Sequence, residues 1–440
     1  MGYRAFFEGK RITVMGLGLL GRTVGDIEFM LAQGAKHVTV TDIRSAKILA
    51  PSVKRLKKYK KVHFVLGKHE LKDFSARGGH APDFILKAPS IPLASPYIRE
   101  AEKSGIPMYM STALFAQFAR DKGAKIVGVT GTRGKSTVTH LLYHILKIAK
   151  RRVHLGGNIR GLSTLALLPK IKKGDLIVME LDSWQLQGFD ALKISPSVSI
   201  FTSFSEDHLN YYPSMKRYFK DKAAIFSHQT KRDILIAGPT VANLLPRVAS
   251  KIIRIHARNL PKKWERNILG VHNEENIACA LAAAKALTVP LSAIRQGIKT
   301  FRGVEGRLEY IKDVRGMSIW NDNNATTPSA TLAALRALRG KGRVVLIMGG
   351  ADKKLPLRTL AKEARGADVV LLPGTGTNLF KKIYKGGFTQ VYSLKDAVRQ
   401  ALRIAHEGDS VLFSPAFASF GLFKNEYDRN DQFMDIVRAL

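Results

Sequence analysis

The stretch GVTGTRGKSTVTHLL, residues 128–142, follows the apolar run KIVGV and leads into an amphipathic pattern. A strand that breaks into a glycine-rich turn and then a helix gathers backbone N–H groups and a helix N-terminus around one point. That arrangement holds phosphates. Gly131, Thr132, Gly134, Lys135, Ser136 and Thr137 make the loop, with Lys135 able to reach the outer phosphates and the Ser136 hydroxyl able to ligate Mg²⁺. The spacing is not that of the ordinary P-loop. That loop needs a glycine five positions before Gly134, where this chain has Val129.

Working outward, apolar strand patterns alternate with helical ones along the whole chain, which predicts α/β architecture with mostly parallel sheets covered on both faces. Three blocks are expected. Residues 1–111 open with RITVMGLGLLGRTVGDIEFMLAQGAKHVTVTD, where Gly16, Gly18 and Gly21 form a G-x-G-x-x-G turn and Asp42 ends the second strand. This Rossmann-like pattern fits a dinucleotide or the diphosphate of another nucleotide. Residues 112–301 carry the phosphate loop in a central P-loop-type domain. Residues 302–440 form a second Rossmann-like domain, with MSIWNDN, RVVLIMGG, ADVVLLPG and DSVLFSP as strands.

Composition narrows the class. Of 440 residues, 45% are hydrophobic and 24% charged, which is ordinary for a globular chain. No apolar run approaches the ~20 residues of a membrane span, and no signal-peptide core precedes the first strand, so a cytoplasmic setting is expected. The single cysteine, Cys279, lies in an Ala-rich helical stretch, so disulfides do not hold the fold. The anomaly is charge: 71 Lys and Arg against 35 Asp and Glu give +36. Such an excess suits polyanionic partners, yet the cations are spread along the chain with no nucleic-acid-binding signature beside them. Anionic small-molecule substrates and a monomer are expected.

The motifs, taken in order, resemble the Mur ligase family, nearest its D-glutamate-adding branch. The phosphate loop is followed by GGNIRG at 156–161, MELDSWQLQG at 179–188 and SEDHLNYYPSMKRYFKDKAAIF at 205–226. GVHNEENIACALAA at 270–283, IWNDNNATTPSATLAAL at 319–335, IMGGADKK at 347–354 and SPAFASFGLFKNEYDRNDQF at 414–433 complete the series. The resemblance covers essentially the full chain. It implies a ligase of peptidoglycan precursor synthesis: ATP phosphorylates a carboxylate of UDP-N-acetylmuramoyl-L-alanine, and the amine of D-glutamate attacks the acyl phosphate to form an amide. Such chemistry needs positioning and charge neutralisation more than a nucleophile.

By resemblance, Lys135 holds the β- and γ-phosphates, Ser136 and Glu180 bind one Mg²⁺, and His208 serves a second metal. Lys222, fourteen residues after His208, stands where the family has a carbamylated lysine, an anionic oxygen ligand made from a cation. On composition alone the run KRYFKDK reads as a solvated face. Asn276 matches the residue that meets adenine. Arg307 and Asp322 match those that reach the γ-phosphate and the ribose when the domains close. Lys353 and Ser419 match the residues that hold the incoming amino acid. In the first domain the turn Gly18, Leu19, Leu20 and Gly21 would face the diphosphate, Asp42 would lie near the uracil, and Asn158 would contact the sugar-peptide portion.

Two departures touch the amino-acid site: Asn324 stands where this branch carries a lysine, and Glu426 where it carries a phenylalanine. Losing a cation and gaining an anion would weaken binding of a dicarboxylate. A related Mur-type ligase with another acceptor amino acid is therefore an alternative. So is a folylpolyglutamate synthase, which has no use for the first glycine-rich domain, and, in a different class, a basic nucleic-acid-binding ATPase. A catalytically idle homologue is disfavoured by the joint presence of Lys135, Ser136, Glu180, His208 and Lys222.

Overall fold

A computed structural model describes residues 2–19, 21–76, 81–207, 211–256, 260–261, 263–419 and 421–440. The chain separates into two compact units, residues 1–259 with 278–294, and residues 260–277 with 295–440. The fold is α/β, built on three sheets of which two are wholly parallel.

The first unit holds two of the sheets. One consists of β1 (Arg11–Met15), β2 (His37–Asp42), β3 (Val62–Leu66), β4 (Phe84–Lys87) and β5 (Met108–Tyr109), in the order β3-β2-β1-β4-β5. The other consists of β6 (Lys125–Thr130), β7 (Val153–Gly157), β8 (Leu176–Glu180), β9 (Val198–Phe201), β10 (Ile234–Ala237) and β11 (Lys251–Arg254), in the order β11-β10-β9-β6-β8-β7. In each, the chain leaves one strand and then builds outward on both sides of it, from β1 to β2 and β4, and from β6 to β8 and β9. The crevice beyond the carboxyl end of such a strand is where ligands of open parallel sheets bind. Both glycine-rich turns follow those two strands. Between Lys125 and Thr130 the KIVGVT strand is apolar, and it is buried from its second residue onward, as a strand covered by helices on both faces must be.

The second unit holds β12 (Glu309–Val314), β13 (Met317–Asn321), β14 (Val344–Met348), β15 (Asp368–Leu371), β16 (Phe388–Gln390) and β17 (Ser410–Phe413), in the order β12-β13-β17-β14-β15-β16. Only the β12–β13 hairpin is antiparallel, and it closes one edge. Alternate residues of VVLIM supply two different cores: Leu346 and Met348 pack on one face, Val345 and Ile347 on the other. Loops after β13, β14 and β17 emerge side by side at the carboxyl end of this sheet. They carry Asp322, Lys353 and Ser419.

Candidate active site

The phosphate loop is held by its own backbone geometry. Gly131 has φ 153°, and a Cβ there would lie 2.0 Å from Thr202 Oγ1. Gly134 turns left-handed at φ 85° and caps the helix Lys135–Ile148. The loop is stitched to the segment after β9: Thr132 N donates to Ser203 O at 2.8 Å, and Arg133 N donates to Ser203 Oγ at 2.9 Å. Ser136 and Thr137, the second and third residues of the helix, are buried. Glu180 ends β8, paired in register with Val129 of β6, so a buried carboxylate stands beside the loop.

Lys222 is not on a solvated face. It lies in the helix Met215–Ser227, whose N-cap Ser214 accepts from Arg217 N, and it is 1% exposed. Its Nζ donates to Gly131 O at 2.9 Å and lies 4.9 Å from the centre of the Tyr218 ring. Lys135 Nζ donates to the same carbonyl at 3.0 Å and to Thr132 O at 3.2 Å. Burial, and then the charge of Lys135, hold the Lys222 amine well below the ordinary lysine value, against the pull of Asp182, Asp207 and Glu180. The sequence placed these two lysines 87 residues apart; the fold puts both on one carbonyl. Asp182 caps the helix Ser183–Ala191 through a reciprocal pair with Gln185, which accounts for its carboxylate locally. His208 lies outside the described residues.

The first glycine turn is shaped by Asp42. One carboxylate oxygen accepts from Leu17 N at 2.9 Å and Gly18 N at 3.2 Å, and the other accepts from Arg44 N at 2.9 Å. The acid at the end of β2 therefore braces the turn's own amides. Gly16 must lack a side chain, because a Cβ would lie 2.8 Å from that of Ala88. Leu19 is exposed, Leu20 lies outside the described residues, and Gly21 is left-handed at the start of the helix Arg22–Ala32. Asn158 follows β7; its backbone N–H donates to Glu180 O at 2.7 Å and its Oδ1 accepts from Arg22 Nη1 at 2.6 Å. The Ala88–Ile91 segment is fixed by buried Lys87, whose ammonium donates to three carbonyls, Ala88 O, Pro89 O and Ile91 O, at 3.1, 3.2 and 2.7 Å. Nothing in the sequence reading singled out Arg22 or Lys87.

In the second unit, Asp322 is a buried carboxylate accepting from Leu308 N at 3.0 Å and Ser414 Oγ at 2.8 Å. Burial raises it to about 7 despite these bonds and the nearby charge of Arg307. Arg307 itself is exposed. Lys353 Nζ donates to Thr326 Oγ1 at 2.9 Å. Ser419 is buried, and its loop is joined to that of Lys353 by paired bonds between Ala351 and Ala418. Asn276, sixth in the helix Val271–Ala286, is buried and donates to Asn273 Oδ1 at 2.9 Å. Asn324 donates to Glu305 O at 3.2 Å, and Glu426 is exposed at the start of the last helix. Two residues missed by the sequence reading complete this region. Thr326 is the partner of Lys353. Arg429 is fully buried and clamps two loops, donating to Asn323 Oδ1 and Asn323 O at 2.8 Å each and to Phe417 O at 3.2 Å. Both stand inside the quoted motifs, but only side-chain contacts reveal their roles.

A phosphate loop at one switch point and a glycine turn at another, with a third parallel-type sheet bearing its own polar loops, define an α/β enzyme that works on nucleotide-linked substrates. Comparison with known proteins narrows this. Residues 129–242 match the Mur ligase middle domain and residues 306–417 the Mur ligase glutamate ligase domain. The UDP-N-acetylmuramoylalanine–D-glutamate ligase of Borreliella burgdorferi (strain ZS7) is 34% identical, over 97% of this chain and 97% of its own. The enzyme of the same name from Roseiflexus sp. (strain RS-1) is 34% identical over 98% and 99%. The solved UDP-N-acetylmuramate-alanine ligase of Thermotoga maritima superposes with a TM-score of 0.61 over 98% of this chain and 99% of that one, at 18% identity, a likeness of fold. The chain belongs to the Mur ligase family of ATP-dependent amide ligases.

Proposed function

We propose that this ligase joins D-glutamate to UDP-N-acetylmuramoyl-L-alanine in peptidoglycan precursor synthesis, as the names of its relatives suggest. A carboxylate oxygen of the muramoyl-linked alanine attacks the γ-phosphorus of ATP and ADP leaves. The glutamate amine then attacks the acyl carbon, phosphate leaves, and the amine loses a proton. The observation that carries the reading is the pair of lysines on the Gly131 carbonyl. Two ammonium groups cannot share one acceptor in a buried site without strong repulsion. Burial lowers the proton affinity of the Lys222 amine, and once deprotonated the amine can add CO2 and release a proton, becoming an anionic carbamate beside Lys135, Ser136 and Glu180. Lys135 is then left to the β- and γ-phosphates.

The oxygen donors of Ser136 and Glu180 suit Mg²⁺, which takes few protein ligands and shares the rest with phosphates. Bound Mg²⁺ would neutralise phosphate charge. His208 is proposed for a second such ion, and Lys222, as carbamate, for either.

The glycine turn Gly18–Gly21 is assigned to the UDP diphosphate, Asp42 to the uracil side and Asn158 to the sugar-peptide. Gly131, Thr132, Gly134 and Thr137 serve the ATP phosphates. Asn276, Arg307 and Asp322 are assigned to adenine, γ-phosphate and ribose, and Lys353 and Ser419 to the acceptor's carboxylates. On this reading residues 1–111, 112–301 and 302–440 are the UDP-substrate, ATP and amino-acid domains of a cytoplasmic monomer.

The test is ATP-dependent phosphate release with UDP-N-acetylmuramoyl-L-alanine and a panel of amino acids, with the product weighed by mass spectrometry. Release that requires D-glutamate is the expected result. Release with a different amino acid would keep the mechanism and move the acceptor, the outcome Asn324 and Glu426 point toward. No turnover with any acceptor would sink the proposal. Separately, ¹³C-labelled bicarbonate should give a carbamate signal that disappears in Lys222→Met.

A further inference from the structure

We infer that Arg22 is a positioning residue for the UDP-linked substrate, setting Asn158 so that its amide N–H₂ is the group offered to that ligand. The inference rests on the assignment of the glycine turn and Asn158 to this substrate. Arg22 is the first residue of the helix that follows the left-handed Gly21, so its guanidinium leaves the chain at the edge of the turn. It donates through Nη1 to Asn158 Oδ1 at 2.6 Å. A guanidinium has only donors, so the amide oxygen must face it, and the two N–H bonds of Asn158 are turned the other way. They are matched to an oxygen acceptor, of the kind a sugar hydroxyl, lactoyl ether or peptide carbonyl supplies.

The backbone around Asn158 is already fixed. Asn158 N donates to Glu180 O, so the residue's main chain is locked to the strand end beside the phosphate loop. One turn along the Arg22 helix, buried Asp26 accepts from Ser163 Oγ at 2.6 Å, and Gly25 packs so closely that a Cβ would lie 2.6 Å from that of Ser163. The loop carrying Asn158 is therefore seated on this helix by residues other than Arg22. What Arg22 adds is the orientation of one amide.

Its own position argues against a stabilising role. A cation in the first turn of a helix opposes the helix dipole, and this turn contains no acid. No carboxylate makes a direct ion pair with Arg22 among the described residues; buried Asp26, one turn on, feels its charge as the last of several influences, behind burial and its hydrogen bonds. The charge is therefore placed at a cost to the helix and at a gain to an anionic ligand on the glycine turn.

The experiment is steady-state kinetics and thermal melting of the intact enzyme, comparing Arg22→Leu, Arg22→Gln, Asn158→Ala and the Arg22→Leu/Asn158→Ala double variant. Arg22→Leu should raise KM for UDP-N-acetylmuramoyl-L-alanine about tenfold, the scale of one charge-assisted bond. KM for ATP should stay unchanged and Tm should change little, the helix-dipole gain offsetting the lost attraction to Asp26. The double variant should be no worse than Asn158→Ala, because both remove the same interaction. Arg22→Gln, which keeps a donor without the charge, should lie between the parent and Arg22→Leu.

A KM for the UDP-linked substrate within about twofold of the parent would overturn the inference. So would losses that multiply in the double variant, or a fall in Tm with both KM values moving together, the mark of a brace. If the unmodified enzyme does not turn over the UDP-linked substrate, the functional reading falls and takes the inference with it. A working enzyme indifferent to Arg22 removes the inference alone.

Discussion

Replacing Arg429 by methionine tests how the second unit holds its loops. Arg429 is 0% exposed and makes its bonds to Asn323 and Phe417 rather than to a carboxylate. Burial brings its guanidinium down to about 10, opposed by Glu426. Removing it strands three acceptors, each worth about 1–3 kcal/mol when left unpaired in the interior. Against this, a buried cation costs several kcal/mol to desolvate, and methionine fills much of the volume without that cost. The net loss is therefore about 2–4 kcal/mol, or a Tm lowered by about 5–15 °C for a unit of this size. Urea unfolding followed by fluorescence should show a lower midpoint with little change in slope. The amino-acid KM should rise as well, because Asn323 adjoins Asp322 and Asn324, and Phe417 lies two residues before Ser419. Lys362→Ala, at an exposed position on the helix Arg358–Glu363, serves as a control expected to stay within about 0.5 kcal/mol. An Arg429→Met protein as stable as its parent would refute the clamp.

Other expectations follow from the same geometry. Gly131→Ala should abolish ATP-dependent phosphate release, since its Cβ would collide with Thr202 Oγ1 in a conformation that L residues rarely adopt; turnover within about tenfold of the parent would contradict this. Asp322 sits near 7 in the folded chain and near 3.8 unfolded, so the folded state holds the extra proton between those values. Its contribution, on the order of a few kcal/mol, is complete below about pH 4 and lost as pH rises to about 7. Asp322→Asn should flatten that part of the stability profile, and an unaltered slope would count against it. Lys87 has the opposite sign. Burial lowers it to about 7, with Asp182 and Asp221 pulling the other way, so the unfolded chain binds the proton more tightly. Stability should climb between about pH 7 and pH 10, and Lys87→Met should remove that climb in urea titrations across the range.

The sequence by itself determined the architecture and the main chemical landmarks. Apolar runs such as KIVGVT and VVLIM, separated by helical periods, specify strands buried on both faces, and that pattern depends only on local residue order. Glycines at 131 and 134 announce a phosphate turn because only glycine tolerates those backbone angles. Tertiary structure decided the rest, for a physical reason. Whether a lysine is a solvated charge or a buried amine with lowered proton affinity depends on what surrounds it, and no local pattern in KRYFKDK distinguishes Lys222, 1% exposed, from its neighbours. The same holds for Asp42, whose carboxylate is spent on the turn's own amides, and for the bond from Arg22 to Asn158 across 136 positions of chain. Burial and long-range pairing are sums over distant residues, so they exist only once the chain has folded.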